Sequence, residues 1–220
     1  MAARTLAALA RLARERGVDI REGTQVRSVR AVGDGVEVIA DDATLTAPVA
    51  VVAAGAWTRS LLPELALPLV PTLEQVTYLE LEEDLACPAF IDWTPDAVAT
   101  PYAVPDPTTP RHLKVALHVS GPAIDPDRSS REPDPVRIDR ATTHARERYA
   151  PHRVLATETC IYTMAPDEDF ALDRRGPIVV ASPCSGHGFK FPQLIGDLIA
   201  DLATGDAPAL PLAAFAIARF

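Results

Sequence analysis

The segment 160–205 constrains the fold of this chain more than any other part of the sequence. It opens on a strand-like stretch, passes an acidic turn, and continues through PIVVASP, which is predicted to be a buried strand. The loop 186–188, Gly-His-Gly, then leads into a helix expected from about Pro192 to Ala203, where leucine and isoleucine recur every three or four residues. Strand, glycine loop and helix in this order predict an α/β layer, and Gly205 is expected to end the helix.

The first sixty residues show the same mixture of helix and strand. Leucine and alanine at helical spacing predict a helix that ends at Gly17, and VDIREG is predicted to be a short strand after it. The turn 33–35, Gly-Asp-Gly, predicts a hairpin between VRSVRAV and VEVIA, and a further strand or turn is expected in TLTAPV. AVVAAGAW is wholly apolar and is predicted to be a buried strand that enters a ligand-facing loop.

The middle of the chain, from Pro63 to about Ala150, is richer in proline. TYLELEE and HLKVALHVS alternate between apolar and polar residues, which predicts strands with one buried face. TPYAVPDPTTPR and GPAIDPDRSSREPDP are predicted to be loops, because proline fixes φ and lacks a backbone N–H donor. A helix through RIDRATTHARERYA is expected to begin at Asp134-Pro135, and VLATETCIYT is expected to be a strand.

These patterns together predict an α/β (α+β) fold with two parts. Residues 1–62 and 151–220 are expected to form an α/β domain, and a mainly antiparallel β-sheet domain of residues 63–150 interrupts it. With 220 residues, 48% of them hydrophobic, the chain is long enough to bury a core in one large domain or two small ones.

Charge and composition exclude several classes of function. A formal net charge of −9 argues against nucleic-acid binding, which needs clustered lysine and arginine. The sequence has no apolar run of about eighteen residues that could span a membrane. The three cysteines, Cys87, Cys160 and Cys184, lack metal-ligand spacing and the even number of a disulfide framework. We therefore expect no metal site and a reducing, cytoplasmic location.

Lysine is rare in this chain. Two lysines occur against nineteen arginines: Lys114 in HLKVALH and Lys190 in SGHGFKF. In a chain that otherwise uses arginine, retained lysines point to chemistry that a forked, permanently charged guanidinium cannot perform. The alternative is that the ratio reflects genomic composition and that the positions of the two lysines are chance.

One element of a dinucleotide site is missing from the sequence. Such a site opens with a strand, a G-x-G-x-x-G turn and a helix, and an acidic residue follows about twenty positions later. No G-x-G-x-x-G occurs here, and SGHGFK has only the first two of its glycines. We therefore expect that these residues alone do not build a complete dinucleotide cradle.

Three blocks of the sequence resemble the monomeric sarcosine oxidase / N-methyltryptophan oxidase family of FAD-dependent, D-amino-acid oxidase-like enzymes. They are VVAAGAW near residue 55, HLKVALH near residue 115, and the specific one, CIYTMAPDEDF…SGHGFKF, in residues 160–191. The similarity covers nearly the whole chain and corresponds to roughly the C-terminal 55–60% of a family member. It implies that residues 1–62 and 151–220 are parts of an FAD-binding domain without its N-terminal Rossmann motif, and that residues 63–150 are the substrate domain.

The resemblance implies four catalytic residues and a covalently held cofactor. Cys160 matches the family cysteine that bonds the flavin ring of FAD through its sulfur. Lys114 matches the lysine that promotes the reaction of reduced flavin with O₂, and His118 matches an active-site histidine. Tyr162 is expected to form an aromatic wall over the substrate, and Lys190 to bind the substrate carboxylate. The alternative for Lys114, His118 and Tyr162 is an ordinary surface or core role.

The resemblance also implies further contacts with FAD. The glycine loop is expected beside the flavin, because glycine lets the backbone approach a planar ring closely. The end of AVVAAGAW corresponds to a flavin contact after the buried strand, and the start of VRSVRAV to a backbone contact with the nucleotide half. The residues expected to make these contacts are Gly186, His187, Gly188, Phe189, Gly55, Trp57 and Val26. Cys184 is expected to be structural.

The implied reaction is oxidation of the secondary amine of sarcosine, or of another N-methyl or cyclic amino acid, to an imine, with O₂ reduced to hydrogen peroxide. An FAD-dependent dehydrogenase or an oxidase of primary amino acids would share the fold. Since the family's N-terminal pyrophosphate loop has no counterpart here, an inactive folded remnant, or a subunit completed by a partner chain, is a further interpretation. We expect the sulfur of Cys160 and the ammonium groups of Lys114 and Lys190 to converge around one flavin ring.

Overall fold

The computed structural model describes residues 2–93, 100–118 and 121–220. Their contacts divide the chain into two compact units. We call Met1–Leu69 together with Ala165–Phe220 the split unit, and Val70–Met164 the sheet unit. The predicted boundaries at residues 62 and 150 differ from these, since the long strand Pro151–Met164 pairs with Val70–Leu81 and so belongs to the sheet unit.

Helices and strands are mixed along the chain, and the predicted α/β (α+β) fold is confirmed. In chain order they are α1 (Ala2–Glu15), β1 (Val26–Val32), β2 (Gly35–Ala40), β3 (Thr44–Ala47), β4 (Ala50–Val52), α2 (Thr58–Leu61), β5 (Val70–Leu81), β6 (Phe90–Ile91), β7 (Thr100–Pro105), β8 (His112–His118), α3 (Pro135–Arg146), β9 (Pro151–Met164), β10 (Ala171–Arg175), β11 (Ile178–Ser182) and α4 (Pro192–Thr204). Short 3₁₀ turns include Gly55–Trp57 and Gly188–Lys190.

Within its described residues, the split unit contains two small sheets. Strands β1, β2 and β3 form an antiparallel meander, and Gly33 has the positive φ of 59° that the predicted hairpin turn requires. The second sheet has the order β10-β11-β4, in which β11 runs antiparallel to β10 and parallel to β4. Both sheets contribute side chains to one apolar core, made of Val29, Val36, Val52, Leu62, Leu67, Leu69, Ala165, Ile178 and Val180.

The sheet unit is a five-stranded antiparallel sheet with the order β6-β7-β8-β5-β9. Successive side chains of a strand point to opposite faces, so Leu113, Val115 and Leu117 of β8 share one face. Helix α3 covers this face. Apolar residues of β5, β7 and α3 are buried there with them: Leu79, Leu81, Ala103, Ala141 and Ala145. The residues that alternate with them on β8, including Lys114 and His118, lie on the opposite face.

Helix α3 begins where the sequence predicts it. The Asp134 side chain caps the helix by accepting a hydrogen bond from Val136 N at 2.9 Å, and Pro135 occupies the first turn. The Gln75 side chain fixes this end of the helix to β5: its Nε2 donates to Asp134 O at 3.1 Å, and its Oε1 accepts from Asp134 N at 2.8 Å. The cap thus also determines where α3 rests on the sheet.

Helix α1 has no buried residue, although its leucines recur at helical spacing. Leu6, Leu9 and Leu12 are all exposed. Helix α4, in contrast, buries Ile195 and Leu198 and ends at Gly205, which has the left-handed φ of 86° expected of a helix terminus. In the part of the chain that the structure describes, no helix combines the length and apolar character that crossing a bilayer needs.

Three predicted segments were wrong. AVVAAGAW is not a buried strand, because only Ala50–Val52 are a strand and Val51 is 42% exposed. VDIREG is not a strand but an irregular connection that ends in a turn, with Gly23 at a φ of 70°. TPYAVPDPTTPR is not all loop, because its first half forms β7. Proline lacks a backbone N–H donor. It is tolerated in β7 because the neighbouring strand β6 is only two residues long and pairs with β7 at two positions. The strand predicted for HLKVALHVS is present up to His118, and residues 119–120 lie outside the described residues.

Leu113→Ala should destabilise the sheet unit strongly. Leu113 is fully buried on a central strand, and removing its side chain leaves a cavity against α3, so we expect the free energy of unfolding to fall by about 2–5 kcal/mol. Val136→Ala, at a position 57% exposed on α3, is the control and should stay within about 0.5 kcal/mol. Urea unfolding followed by circular dichroism measures both; equal, small changes would contradict this packing.

Candidate functional site

Four predicted site residues lie on one face of the sheet unit. Lys114 and His118 are on β8 and Cys160 and Tyr162 on β9, with β5 hydrogen-bonded between the two strands. Tyr78 of β5 pairs with Lys114, and Glu74, four residues before it on the same face, pairs with Cys160. The four side chains therefore share the face that α3 does not cover.

Aromatic rings connect this group. The His118 ring lies 6.4 Å, centroid to centroid, from the Tyr162 ring and 6.4 Å from the ring of Tyr102 on β7. The Lys114 Nζ lies 5.6 Å from the Tyr102 ring centroid, within the range of a cation–π contact. With Tyr78 of β5, the face thus combines three phenols, an imidazole, an ammonium and a thiol.

Sequence reasoning missed Tyr102. Its segment was predicted to be a loop because of the flanking prolines, yet Pro101 and Ala103 are buried while Tyr102 is only half-buried. Treating TPYAVP as a strand, with side chains on alternate faces, would have placed Tyr102 on the opposite face from Pro101 and Ala103.

Tyr102 and Tyr162 act as neutral groups. Burial is the largest cause that raises the pKa of Tyr102, and the neighbouring phenol of Tyr162 raises it further. Burial is also the largest cause that raises the pKa of Tyr162, and the nearby Cys160 raises it further. Both phenols therefore stay protonated at neutral pH and can orient a ligand through hydrogen bonds rather than act as bases.

A buried ion pair lies beside Cys160. The Glu74 carboxylate, 3% exposed, accepts a hydrogen bond at 2.7 Å from Nη2 of Arg137 on α3. Arg137 Nη1 also donates to Leu73 O at 2.8 Å. The other carboxylate oxygen of Glu74 accepts from Gly121 N at 3.1 Å and from Thr72 Oγ1 at 3.0 Å. The sequence offered no signal for this pair, because its partners are 63 residues apart.

The second group of predicted residues lies in the split unit. Strands β4 and β11 are parallel neighbours, so the loops that follow them leave from the same edge of the sheet. Gly55 follows β4 with a φ of 52°, and Gly186 follows β11 with a φ of 75°. In α/β sheets, ligands bind at the carboxyl ends of parallel strands. The placement of these two glycines agrees with that rule.

The loop after β11 has a tightly constrained conformation. A Cβ added to Gly188 would lie 1.6 Å from Pro183 O, so the loop admits only glycine there. The His187 ring stacks on Phe170 with centroids 4.9 Å apart, and its Nδ1 lies 2.8 Å from Ser185 O. These contacts fix the loop from both sides.

Other predicted residues of the split unit present exposed surface. Phe189 is 53% exposed, and Trp57 and Val26 are also exposed. Lys190 is exposed, and its Nζ lies 5.4 Å from the Phe191 ring centroid. Val26 begins β1 and so lies in a different sheet from the strands that precede Gly55 and Gly186. Convergence of Lys190 with Lys114 and Cys160 stays a prediction, because Lys190 belongs to the other unit.

Within the split unit, the residues present fit FAD on two observations. A Cβ on Gly55 would have nothing within 4 Å, so a planar ring could approach that backbone. The hydroxyl of Ser182, at the end of β11, is buried and finds no hydrogen-bond partner among the described residues, which leaves a donor for a polar ligand. In the sheet unit, the exposed Cys160 offers a sulfur on the same face as the Lys114 cation.

A family model described as FAD dependent oxidoreductase matches residues 2–202. The chain is 30% identical to the monomeric sarcosine oxidase of Bacillus sp. (strain B-0618), over 94% of this chain and 56% of that protein. It is also 30% identical to the N-methyl-L-tryptophan oxidase of Yersinia pestis (strain Pestoides F), over 94% of this chain and 57% of that protein. The chain thus spans little more than half the length of these relatives.

Solved structures show the same fold. The open form of NikD, described as an unusual amino acid oxidase essential for nikkomycin biosynthesis, superimposes with a TM-score of 0.84 at 26% identity. That match covers 96% of this chain and 58% of NikD. The two polypeptides therefore share their architecture over almost all of the present chain.

Gly188→Ala should disrupt the loop after β11. The added methyl group would overlap Pro183 O, so we expect a loss of at least about 1 kcal/mol in the free energy of unfolding. Gly196→Ala on α4 is the matched control: a Cβ there meets nothing within 4 Å, and alanine favours a helix, so stability should be unchanged or slightly higher. Thermal unfolding of both variants measures this. An unchanged melting temperature for Gly188→Ala would contradict the loop conformation.

Proposed function

Because this chain belongs to the FAD dependent oxidoreductase family, we propose that it corresponds to the C-terminal portion of an oxidase that acts on a secondary amine. The substrate class is sarcosine or another N-methyl or cyclic amino acid. The observation that carries the proposal is the shared face of Lys114, His118, Cys160 and Tyr162 in the sheet unit. The names of the sarcosine and N-methyltryptophan oxidases support the substrate class.

The proposed cofactor is FAD, held covalently by Cys160. Its thiol is exposed on the sheet face and would bond the flavin ring through sulfur. The backbone of Gly55, Gly186 and Gly188 would lie against the cofactor, because glycine carries no side chain at these positions. His187 and Phe189 of the same loop would add side-chain contacts. Trp57 and Val26 would add contacts through their exposed surfaces.

The chemistry that FAD would supply is redox: the amine would lose a hydride equivalent from carbon and a proton from nitrogen to become an imine, and O₂ would gain two electrons and two protons to become hydrogen peroxide. Lys114 would supply a fixed positive charge that stabilises the negative charge developing on oxygen. Its contact with the Tyr102 ring holds the ammonium on the sheet face. Tyr162 and His118 would shape the substrate pocket, and Lys190 would bind the substrate carboxylate.

Two features of the split unit support the proposal that this chain needs a further segment to complete its fold. Helix α1 leaves its apolar side uncovered, and β4 is an edge strand of its sheet in the described residues. An edge strand presents unpaired backbone groups that can accept another strand. We propose that a segment carrying a phosphate-binding loop covers these surfaces, as part of a longer protein or as a partner chain. The proposed location is the cytoplasm, from the cysteine usage.

Cys160→Ser should release the cofactor. Holoenzyme precipitated with acid should keep its yellow colour on the polypeptide, whereas the Cys160→Ser holoenzyme should lose it to the supernatant. Cys184→Ser is the matched thiol control and should keep the colour. Colour released from the unsubstituted protein would refute the covalent link, and a protein that is colourless before precipitation would refute FAD binding.

Lys114→Met should separate the two half-reactions. In the holoenzyme, flavin reoxidation by O₂ should slow on the order of a hundredfold, because the cation that stabilises reduced oxygen is lost. Flavin reduction by substrate should change far less. Lys190→Met should instead raise the KM for substrate and leave reoxidation unchanged. Rapid-mixing absorbance measurements distinguish these effects, and equal slowing of both half-reactions by Lys114→Met would refute the assigned role.

A further inference from the structure

We propose that Arg137 is a positioning residue for Cys160: by neutralising the buried Glu74 carboxylate, it keeps the neighbouring thiol able to react. The inference rests on the proposed role of Cys160 as the flavin attachment point, and its test does not need the cofactor. Arg137 lies on α3 and reaches Glu74, which lies directly across from Cys160 in the β5–β9 pairing.

The register of β5 and β9 places Glu74 directly opposite Cys160. Directly opposed residues of an antiparallel pair have their Cβ atoms about 4.5–5.5 Å apart, on the same face of the sheet. Glu74 cannot turn away, because one carboxylate oxygen is held by Arg137 and the other by Gly121 N and Thr72 Oγ1. A fixed negative charge therefore lies beside the sulfur.

The pairing of β5 leaves Leu73 O accessible to the Arg137 guanidinium. Strand β8 pairs with β5 only from Thr77 to Glu80, and on the same side of β5 the described residues next form a single bridge, Thr72–Ala123. Between these two pairings, Arg137 donates to Leu73 O and to Glu74. A Cβ on Gly121 would lie 1.9 Å from Leu73 O, so glycine is also required for this arrangement.

The thiol reacts as a thiolate, and its surroundings oppose ionisation. Burial by the surrounding sheet, although the residue is partly exposed, is the largest cause that raises the pKa of Cys160; the Glu74 charge raises it further. Lys114 and Arg137 lower it, and Glu158 on the same strand raises it. The phenols of Tyr78, Tyr102 and Tyr162 also face the sulfur and are neutral at working pH.

The sign of each substitution follows from these charges. Without Arg137, the Glu74 carboxylate would act on the sulfur uncompensated, so the thiol pKa should rise and reactivity fall. Without the Glu74 charge, Arg137 would act alone, so the pKa should fall and reactivity rise. Removing both charges should return the thiol close to its original behaviour. A purely structural role predicts instead that both single variants loosen the site in the same direction.

The experiment measures alkylation of Cys160 by iodoacetamide as a function of pH. The reaction forms a sulfur–carbon bond, expels iodide and releases the thiol proton to the buffer. The chain carries Cys87→Ser and Cys184→Ser, so that Cys160 is its single thiol. At a pH below the midpoint, Arg137→Gln should slow alkylation up to about tenfold and Glu74→Gln should speed it by a similar factor.

Three further variants complete the test. Glu74→Gln/Arg137→Gln should restore the parent pH profile, and Arg137→Lys, which keeps the charge, should lie close to it. Arg153→Gln breaks an exposed ion pair with Glu80 on the same two strands and should leave the profile unchanged.

The proposal would be overturned if the midpoint of the alkylation pH profile shifted in the same direction in both single variants, or if it did not shift in either. If Arg137→Gln does not fold, the direction of the midpoint shift in Glu74→Gln and the pH profile of the double variant still decide whether the proposal holds. Loss of the covalent flavin link in the colour test, with these shifts intact, would refute the proposed use of Cys160 and not its tuning by Arg137.

Discussion

The candidate site of the sheet unit depends on the unequal pairing of strand β5. On one side β5 is hydrogen-bonded to β9 along its whole length, and on the other side it pairs with β8 over four residues, Thr77–Glu80. The full pairing fixes Cys160 opposite Glu74, and the short one brings Lys114 next to Tyr78 on the same face. Beyond this short pairing, the same side of β5 carries the buried ion pair of Glu74 with Arg137 and the single bridge Thr72–Ala123. Removing one partner of such a pair typically costs about 3–5 kcal/mol, so this region is sensitive to either residue.

The split unit positions its residues by a different principle. Parallel pairing of β4 with β11 brings two loops to one sheet edge, and glycine at Gly55, Gly186 and Gly188 allows backbone geometry that other residues resist. The Phe170–His187 stack then holds the second loop in place. Secondary structure therefore sets where the loops begin, while glycine and ring packing set their shape.

Local signals in the sequence predicted the elements that such signals control. The cap at Asp134, the Gly33 turn and the Gly205 helix terminus each follow from one residue and its neighbours, and all three are present. Period-two alternation on β8 correctly placed Lys114 and His118 on one face. Strand β7 was missed because its prolines are acceptable only next to a neighbour as short as β6, which is a property of the sheet.

The ion pair of Glu74 with Arg137 was beyond sequence reasoning for a related reason. Each residue alone reads as an ordinary surface charge, and only the three-dimensional pairing of β5, β9 and α3 buries both. Tyr102 lies at the site because β7 pairs with β8, which is also a contact between distant parts of the sequence. The resemblance to known oxidases identified residues in familiar motifs, but it gave no information about charges that these motifs do not contain.

The uncovered apolar side of helix α1 has a consequence for the life of the polypeptide in a cell. Three exposed leucines on a helix that has no buried residue resemble the surfaces that chaperones and proteases recognise in incompletely folded chains. Isolated helices of this length are only marginally stable in water, so α1 should unfold readily until another segment covers its leucines. The amount of this chain in a cell should therefore depend on how quickly the covering segment reaches α1 after synthesis.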